Sequence, residues 1–291
     1  MCDPLPAPAG RAGRDQPVTR HIDDAHMRRT LLGLYTYVEF FLAALLFAPL
    51  LGAVARLHRR DPTCRIRGRW MRRFGRTTSA LTPLWRFSVR GEAPPGIRDG
   101  SAYVVVANHE STADPFLLSW LPWDMRWVAK EELFRLPLIG FLMRSGGDVP
   151  LRRGTPPSSR RRWLACRRTL AGGLSVMLFP EGTRSPDGQL LPFKDGAFQL
   201  AIEAGVPVLP VAIAGTRSCR PKGSAWFGDA RAVARVLEPI PTQGMTVSDV
   251  ESLREQARAA IARAAAELRA ELAAEPASAP LHPDALDVSR R

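Results

Sequence analysis

Residues 102–115 read Ala-Tyr-Val-Val-Val-Ala-Asn-His-Glu-Ser-Thr-Ala-Asp-Pro. The first six form a short apolar run of β-branched and aromatic type, the pattern of a strand covered on both faces. A polar turn follows. Asp114 then stands where a helix cap is expected and Pro115 where the first helical residue is, because proline has no N–H to lose there. Strand, turn and helix in so few residues predict an α/β unit, and similar short runs recur: WRFSV (85–89), MRWVA (125–129), LSVMLF (174–179) and VPVLPVAI (206–213). Alternating with helical stretches, they predict one α/β domain over 85–274 with a largely buried sheet.

Two helices can be placed around those strands. One runs from about Ser159 to Ala171 and stops at Gly172-Gly173. A second starts near Ser248, where Ser248 and Glu251 have capping-box spacing, and keeps Val250, Leu253, Ala257, Ile261, Leu268 and Leu272 on one apolar face.

Upstream the character changes. Residues 31–57 read LLGLYTYVEFFLAALLFAPLLGAVARL, longer than the roughly 20 residues a bilayer-crossing helix needs. Glu39 and Pro49 interrupt it, so a half-buried or re-entrant helix competes with a simple span. Between positions 56 and 76 there are nine arginines (56, 59, 60, 65, 67, 69, 72, 73, 76) against one acid, Asp61. With Trp70, Phe74, Leu81 and Trp85 interleaved, they predict a basic amphipathic helix lying among anionic headgroups, limited by Pro83. Residues 31–84 are thus expected to be membrane-associated, and the tails 1–30 and 275–291 to be disordered. The arginine excess after the apolar segment places the rest of the chain at the cytoplasmic face of the cell membrane.

Composition narrows the function. The 291 residues carry 41 Lys+Arg against 28 Asp+Glu, a formal charge of +13, which calls for an anionic partner without choosing between nucleic acid and lipid. The basic residues cluster beside an apolar segment, and no zinc-finger or RNP-type aromatic motif appears, so no nucleic-acid partner is expected. The four cysteines, Cys2, Cys64, Cys166 and Cys219, show no CxxC pairing, and no metal is expected. No internal repeat, GxGxxG, Walker A loop or GxSxG elbow is found.

Chemistry concentrates at two strand ends. His109 follows the apolar run of residues 102–107, and the carboxylate of Asp114 lies in the next turn, a pairing that fixes an imidazole tautomer for general-base work. Taken alone it equally suits a histidine in an ordinary turn and an aspartate used as a cap. After LSVMLF comes Phe179-Pro180-Glu181-Gly182-Thr183-Arg184-Ser185, a tight turn that offers a carboxylate and a planar guanidinium suited to phosphate oxygens.

Taken in order, His-x4-Asp, FPEGTRS and VPVLPV over Tyr103 to Ala214 resemble the glycerolipid acyltransferase family, which includes bacterial 1-acylglycerol-3-phosphate acyltransferases. The resemblance implies a twisted, mostly buried sheet flanked by helices and preceded by an N-terminal membrane-binding helical pair. It implies His109 as base and Asp114 as its orienting partner, and acceptor binding by Glu181, Gly182 and Arg184. Arg153 matches the arginine of the family's second motif, with Arg152 where relatives often carry an acid, and Lys130 and Lys194 fall where relatives tend to place basic residues. The implied reaction moves a fatty acyl group from acyl-CoA or acyl-carrier protein to the free hydroxyl of 1-acyl-glycerol-3-phosphate, with no bound cofactor. Glycerol 3-phosphate, another lysophospholipid or a lyso-aminolipid are the alternative acceptors.

Overall fold

A computed structural model describes residues 18–151, 156–221 and 223–275. In chain order the elements are helices α1 (Val18–Leu57) and α2 (Arg65–Leu81), strands β1 (Trp85–Arg90) and β2 (Val104–Ala107), and helix α3 (Asp114–Leu118). There follow β3 (Met125–Lys130), α4 (Pro137–Gly146), β4 (Val149–Leu151), α5 (Pro156–Ala171), β5 (Ser175–Leu178), α6 (Gly196–Ala204), β6 (Val208–Ala214), β7 (Ala230–Val236) and α7 (Val250–Ala274). The seven strands form one sheet in the order β1-β7-β6-β2-β5-β3-β4.

Strands β6, β2, β5, β3 and β4 pair in parallel, so their C-terminal ends share one edge. β7 runs antiparallel to β6 and carries β1 parallel to itself at the far end. Every residue of β2 and β6 is buried, as the unbroken apolar runs predicted. Alternation splits β2 between the two faces. Val104 and Val106 join the layer of α5, α6 and α7, while Val105 and Ala107 join Leu117, Leu118 and Trp123. The predicted stripe of α7 packs as expected, with Leu253, Ile261 and Leu268 fully buried, each stabilising by about 1.5–3 kcal/mol.

Three boundaries differ from expectation. α1 starts at Val18 rather than at 31. No Gly or Pro stands between Val18 and Thr30, and lengthening an existing helix adds a hydrogen bond per residue without a second nucleation. α5 opens at Pro156 rather than Ser159, with prolines tolerated in its first turn. The capping box before α7 is made by Thr246 and Asp249, not Ser248 and Glu251, and a short 3-10 turn (Val247–Asp249) intervenes. Of the expected tails 1–30 and 275–291, residues 1–17 and 276–291 lie outside the described residues, and 18–30 are helical as part of α1.

The N-terminal helices pair across the domain. Within α1, Thr30–Leu57 is 28 residues long with hydropathy 2.2, long and apolar enough to cross a membrane. Ala43, Ala44, Phe47 and Leu51 pack with Phe74 of α2 and Leu142 of α4, while Leu31, Leu34, Phe41, Leu42, Leu45 and Leu46 stay exposed. Glu39 is buried against the domain and accepts a hydrogen bond from Thr82 Oγ1 at 3.0 Å.

The arginine run of α2 does not form the uniform headgroup face expected of it. Arg65 donates to Gly173 O, Arg67 to Ser145 O and Arg144 O, and Arg69 and Arg72 to Asp124. Burial alone would raise Asp124, but the Arg69 hydrogen bond and the Arg72 charge hold its carboxyl below the usual range. These four guanidinium groups fasten α2 to α4 and to the loops that lead into β3 and β5. Arg73 and Arg76 instead lie over the rings of Trp70 and Trp120.

Candidate active site

The site is built where β6, β2 and β5, three neighbouring parallel strands, end together. In such sheets the crevice beyond the carboxyl ends is where ligands bind. Asn108, first residue past β2, clamps that strand end to β6, its Nδ2 donating to Ile213 O at 2.9 Å and its Oδ1 accepting from Ile213 N at 2.7 Å. His109 is therefore presented from a fixed backbone.

Both backbone groups of His109 are held by the turn after β5. Its N–H donates to Glu181 Oε1 at 2.7 Å, and its carbonyl accepts from Ser185 N at 2.9 Å. The imidazole stacks on Phe179, ring centroids 4.1 Å apart, and Nδ1 meets Asp114 Oδ2 at 2.7 Å. The His109 side chain keeps 19% exposure while that of Asp114 has none. A carboxylate on Nδ1 sets the tautomer in which that nitrogen carries the proton, leaving the lone pair of Nε2 free to accept one. Among the described residues Nε2 has no hydrogen-bond partner.

Asp114 sits in the first turn of α3, with Ala113 at the cap position rather than Asp114 itself. Its Oδ2 also accepts from the amides of Glu110 and Ser111, and its Oδ1 from the hydroxyl of Thr216. Thr216 begins the 3-10 turn Thr216–Cys219 after β6. Sequence reading missed it, and the one available signal was its place just beyond the end of a buried strand. Thr216→Val is expected to lower kcat by about tenfold, the equivalent of roughly 1.4 kcal/mol of lost orientation, with the acceptor KM unmoved. Thr216→Ser should restore the rate, and steady-state kinetics on the pair checks this; equal losses in both variants would assign Thr216 to packing alone.

The other expected residues fall in distinct places. Glu181 is buried, and both its oxygens take backbone amides, His109 N on Oε1 and Leu191 N on Oε2 at 3.0 Å. Burial pushes its carboxyl up, against the lowering effect of those amides. Gly182 closes the turn at φ 69°, left-handed backbone that favours glycine, with its amide on Phe179 O at 3.0 Å. Arg184 lines a cavity of about 380 Å³ together with Thr112 of the His109 turn. Lys130 ends β3 on the same sheet edge, and Lys194 follows the β5 turn; both are exposed. Arg153 lies outside the described residues. A further buried acid, Glu110, binds Arg269 of α7 at 2.9 Å, and burial pushes its carboxyl up. Among the described residues no group of His, Cys, Asp and Glu is placed to hold a metal.

The arrangement is an imidazole bonded to a buried carboxylate, in a turn whose Thr112 lines a cavity together with Arg184. The Acyltransferase family model matches residues 87–214. Human 1-acyl-sn-glycerol-3-phosphate acyltransferase alpha is 32% identical over 206 residues, 68% of this chain and 71% of that protein. The chloroplastic 1-acyl-sn-glycerol-3-phosphate acyltransferase of Brassica napus is 41% identical over 140 residues; the match takes in 47% of this chain and only 40% of that protein's length. The crystal structure of the 1-acyl-sn-glycerophosphate (LPA) acyltransferase PlsC from Thermotoga maritima superposes with TM-score 0.69 at 30% identity, covering 84% of this chain and 97% of that one. This chain belongs to the 1-acyl-sn-glycerol-3-phosphate acyltransferase family.

Proposed function

We propose that the protein transfers a fatty acyl group from an acyl thioester to the free hydroxyl of 1-acyl-glycerol-3-phosphate, giving phosphatidic acid. The observation that carries this is the His109–Asp114 pair in a turn whose Thr112 shares a cavity with Arg184. Nε2 of His109 takes the hydroxyl proton as the oxygen attacks the thioester carbonyl. The new C–O bond forms, the C–S bond breaks, and the imidazolium returns the proton to the leaving thiolate. No covalent enzyme intermediate is needed. Arg184 grips the acceptor phosphate, Lys130 and Lys194 add positive charge, and family resemblance assigns Arg153 to the same task. The donor, acyl-CoA or acyl-carrier protein, is a substrate and not a resident cofactor.

The exposed face of α1 supplies the membrane contact. Its opposite face packs on the domain from Gly33, beside Trp226, to Gly52, beside Phe141, so lipid meets only one side of it. That arrangement supports a helix lying in the interface with the site opening toward the lipid, and the basic residues around it favour the anionic cytoplasmic face.

The test is thiol release from acyl-CoA by the purified protein across 1-acyl-glycerol-3-phosphate, other lysophospholipids, a lyso-aminolipid and glycerol 3-phosphate. The expected result is fastest release with 1-acyl-glycerol-3-phosphate, and an acceptor KM raised about tenfold to a hundredfold in Arg184→Ala, the worth of one charged hydrogen bond. Release that ignores the acceptor, or an unmoved acceptor KM, would count against this function.

A further inference from the structure

The cavity that Arg184 lines has a second guanidinium on its wall. Arg220, Ser224 and Ala225 come from the loop after the 3-10 turn at Thr216–Cys219, and Arg184 and Thr112 come from the turns after β5 and β2. No carboxylate lines this cavity among the described residues. Two guanidinium groups on one cavity without an acid repel each other unless an anion stands between them. We propose that Arg220 is the second arginine of the acceptor's phosphate site, an inference that rests on the acyltransferase reading above.

Arg220 is already aimed. Its Nε donates to Ser224 O at 3.3 Å, and its guanidinium lies 5.8 Å from the centroid of Phe227. Its two terminal nitrogens have no partner among the described residues, so the planar end of the fork is left for phosphate oxygens. The loop is closed at its neck by Gly228 N on Cys219 O at 3.0 Å.

What holds this loop is the apolar helix. The Tyr37 hydroxyl donates to Ala225 O, and Phe227 packs against the rings of Tyr37 at 4.7 Å and Phe40 at 5.6 Å. Trp226 lies so close over Gly33 that a Cβ there would come within 3.0 Å of its ring. The face of α1 turned away from lipid thus carries the headgroup arginine, and seating of the helix and shape of the phosphate site are mechanically linked.

Two acceptors that differ only in the phosphate provide the test, 1-acyl-glycerol-3-phosphate and 1-acylglycerol, with kcat/KM measured for each on the full chain in detergent. Arg220→Ala should lower the preference for the phosphorylated acceptor by about tenfold to a hundredfold, leave the donor KM unchanged, and Arg220→Lys should recover part of the loss by keeping charge without the fork. General damage to the loop would depress both acceptors together and leave their ratio intact, and that outcome overturns the proposal. Should Arg220→Ala fail to fold, the ratio in Arg220→Lys and Arg220→Gln decides in the same way. An intact ratio in the Arg220 variants with a reduced ratio in Arg184→Ala would remove Arg220 and leave the acyltransferase reading standing. A wild-type protein with no preference for the phosphorylated acceptor would remove the reading itself, and the Arg220 proposal with it.

Discussion

Replacing His109 by alanine is expected to lower turnover by about 10²–10⁴, the usual contribution of a positioned general base, while the chain keeps its fold. Separating these two effects is possible because the backbone of His109, not its ring, is what the structure uses. Glu181 and Ser185 hold its N–H and carbonyl, and alanine keeps both bonds. The ring contributes its stack on Phe179 and its bond to Asp114, and removing it frees an Asp114 oxygen that still has two backbone amides. Single-turnover thiol release, with circular dichroism to report folding, checks the prediction. A folded variant at near-normal rate would take His109 out of the reaction.

Asp114→Ala makes a poorer probe of the same step. Its carboxylate caps the turn for Glu110 and Ser111 and accepts from Thr216, so its loss disturbs the local fold as well as the imidazole. The catalytic role proposed for Asp114 is fused with a structural one, whereas that proposed for His109 is separable.

The difference between the two residues also explains how much of the site the sequence disclosed. His109 and Asp114 sit in one turn, and Glu181, Gly182 and Arg184 in another, each directly after an apolar run. Each local pattern alone left an ordinary turn open, and it was their order along the chain that marked these residues as candidates. Thr216 and Arg220 act on the same site from after β6, and their relevance depends on β6 lying beside β2, a pairing that no short window of sequence contains.

The same contrast governs the fold. Strands β2 and β6 announced themselves because both faces are buried and the runs are unbroken. β7 was missed because Arg231 and Arg235 alternate with alanines in it. Those arginines become acceptable in a covered sheet only through Glu275, Glu267 and Glu271 of the α7 region, partners remote in sequence. In α2 the argument from like charge failed for a related reason, since one acid at Asp124 receives Arg69 and Arg72 at once.

Glu181 is where family resemblance and geometry make different predictions, so its substitution carries the most information after His109. Acceptor binding, the role implied by the motif, predicts that Glu181→Ala raises the acceptor KM and leaves stability nearly unchanged. The geometry predicts a different result. Both oxygens of Glu181 are on backbone amides, so alanine orphans His109 N and Leu191 N, at a cost of about 1–3 kcal/mol for each amide that water cannot reach. Freed from one of its two anchors, the His109 backbone also shifts, and a displacement of an ångström at a reacting group can cost on the order of a hundredfold in rate. The expected outcome is a lowered Tm together with a fall in kcat, and an acceptor KM that stays near wild type. Denaturation curves and full kinetics on Glu181→Ala and Glu181→Gln discriminate, because the Gln side-chain oxygen can serve one of the two amides and should recover part of both losses. A stable alanine variant impaired only in acceptor KM would move Glu181 from the scaffold of the base to the surface of the substrate.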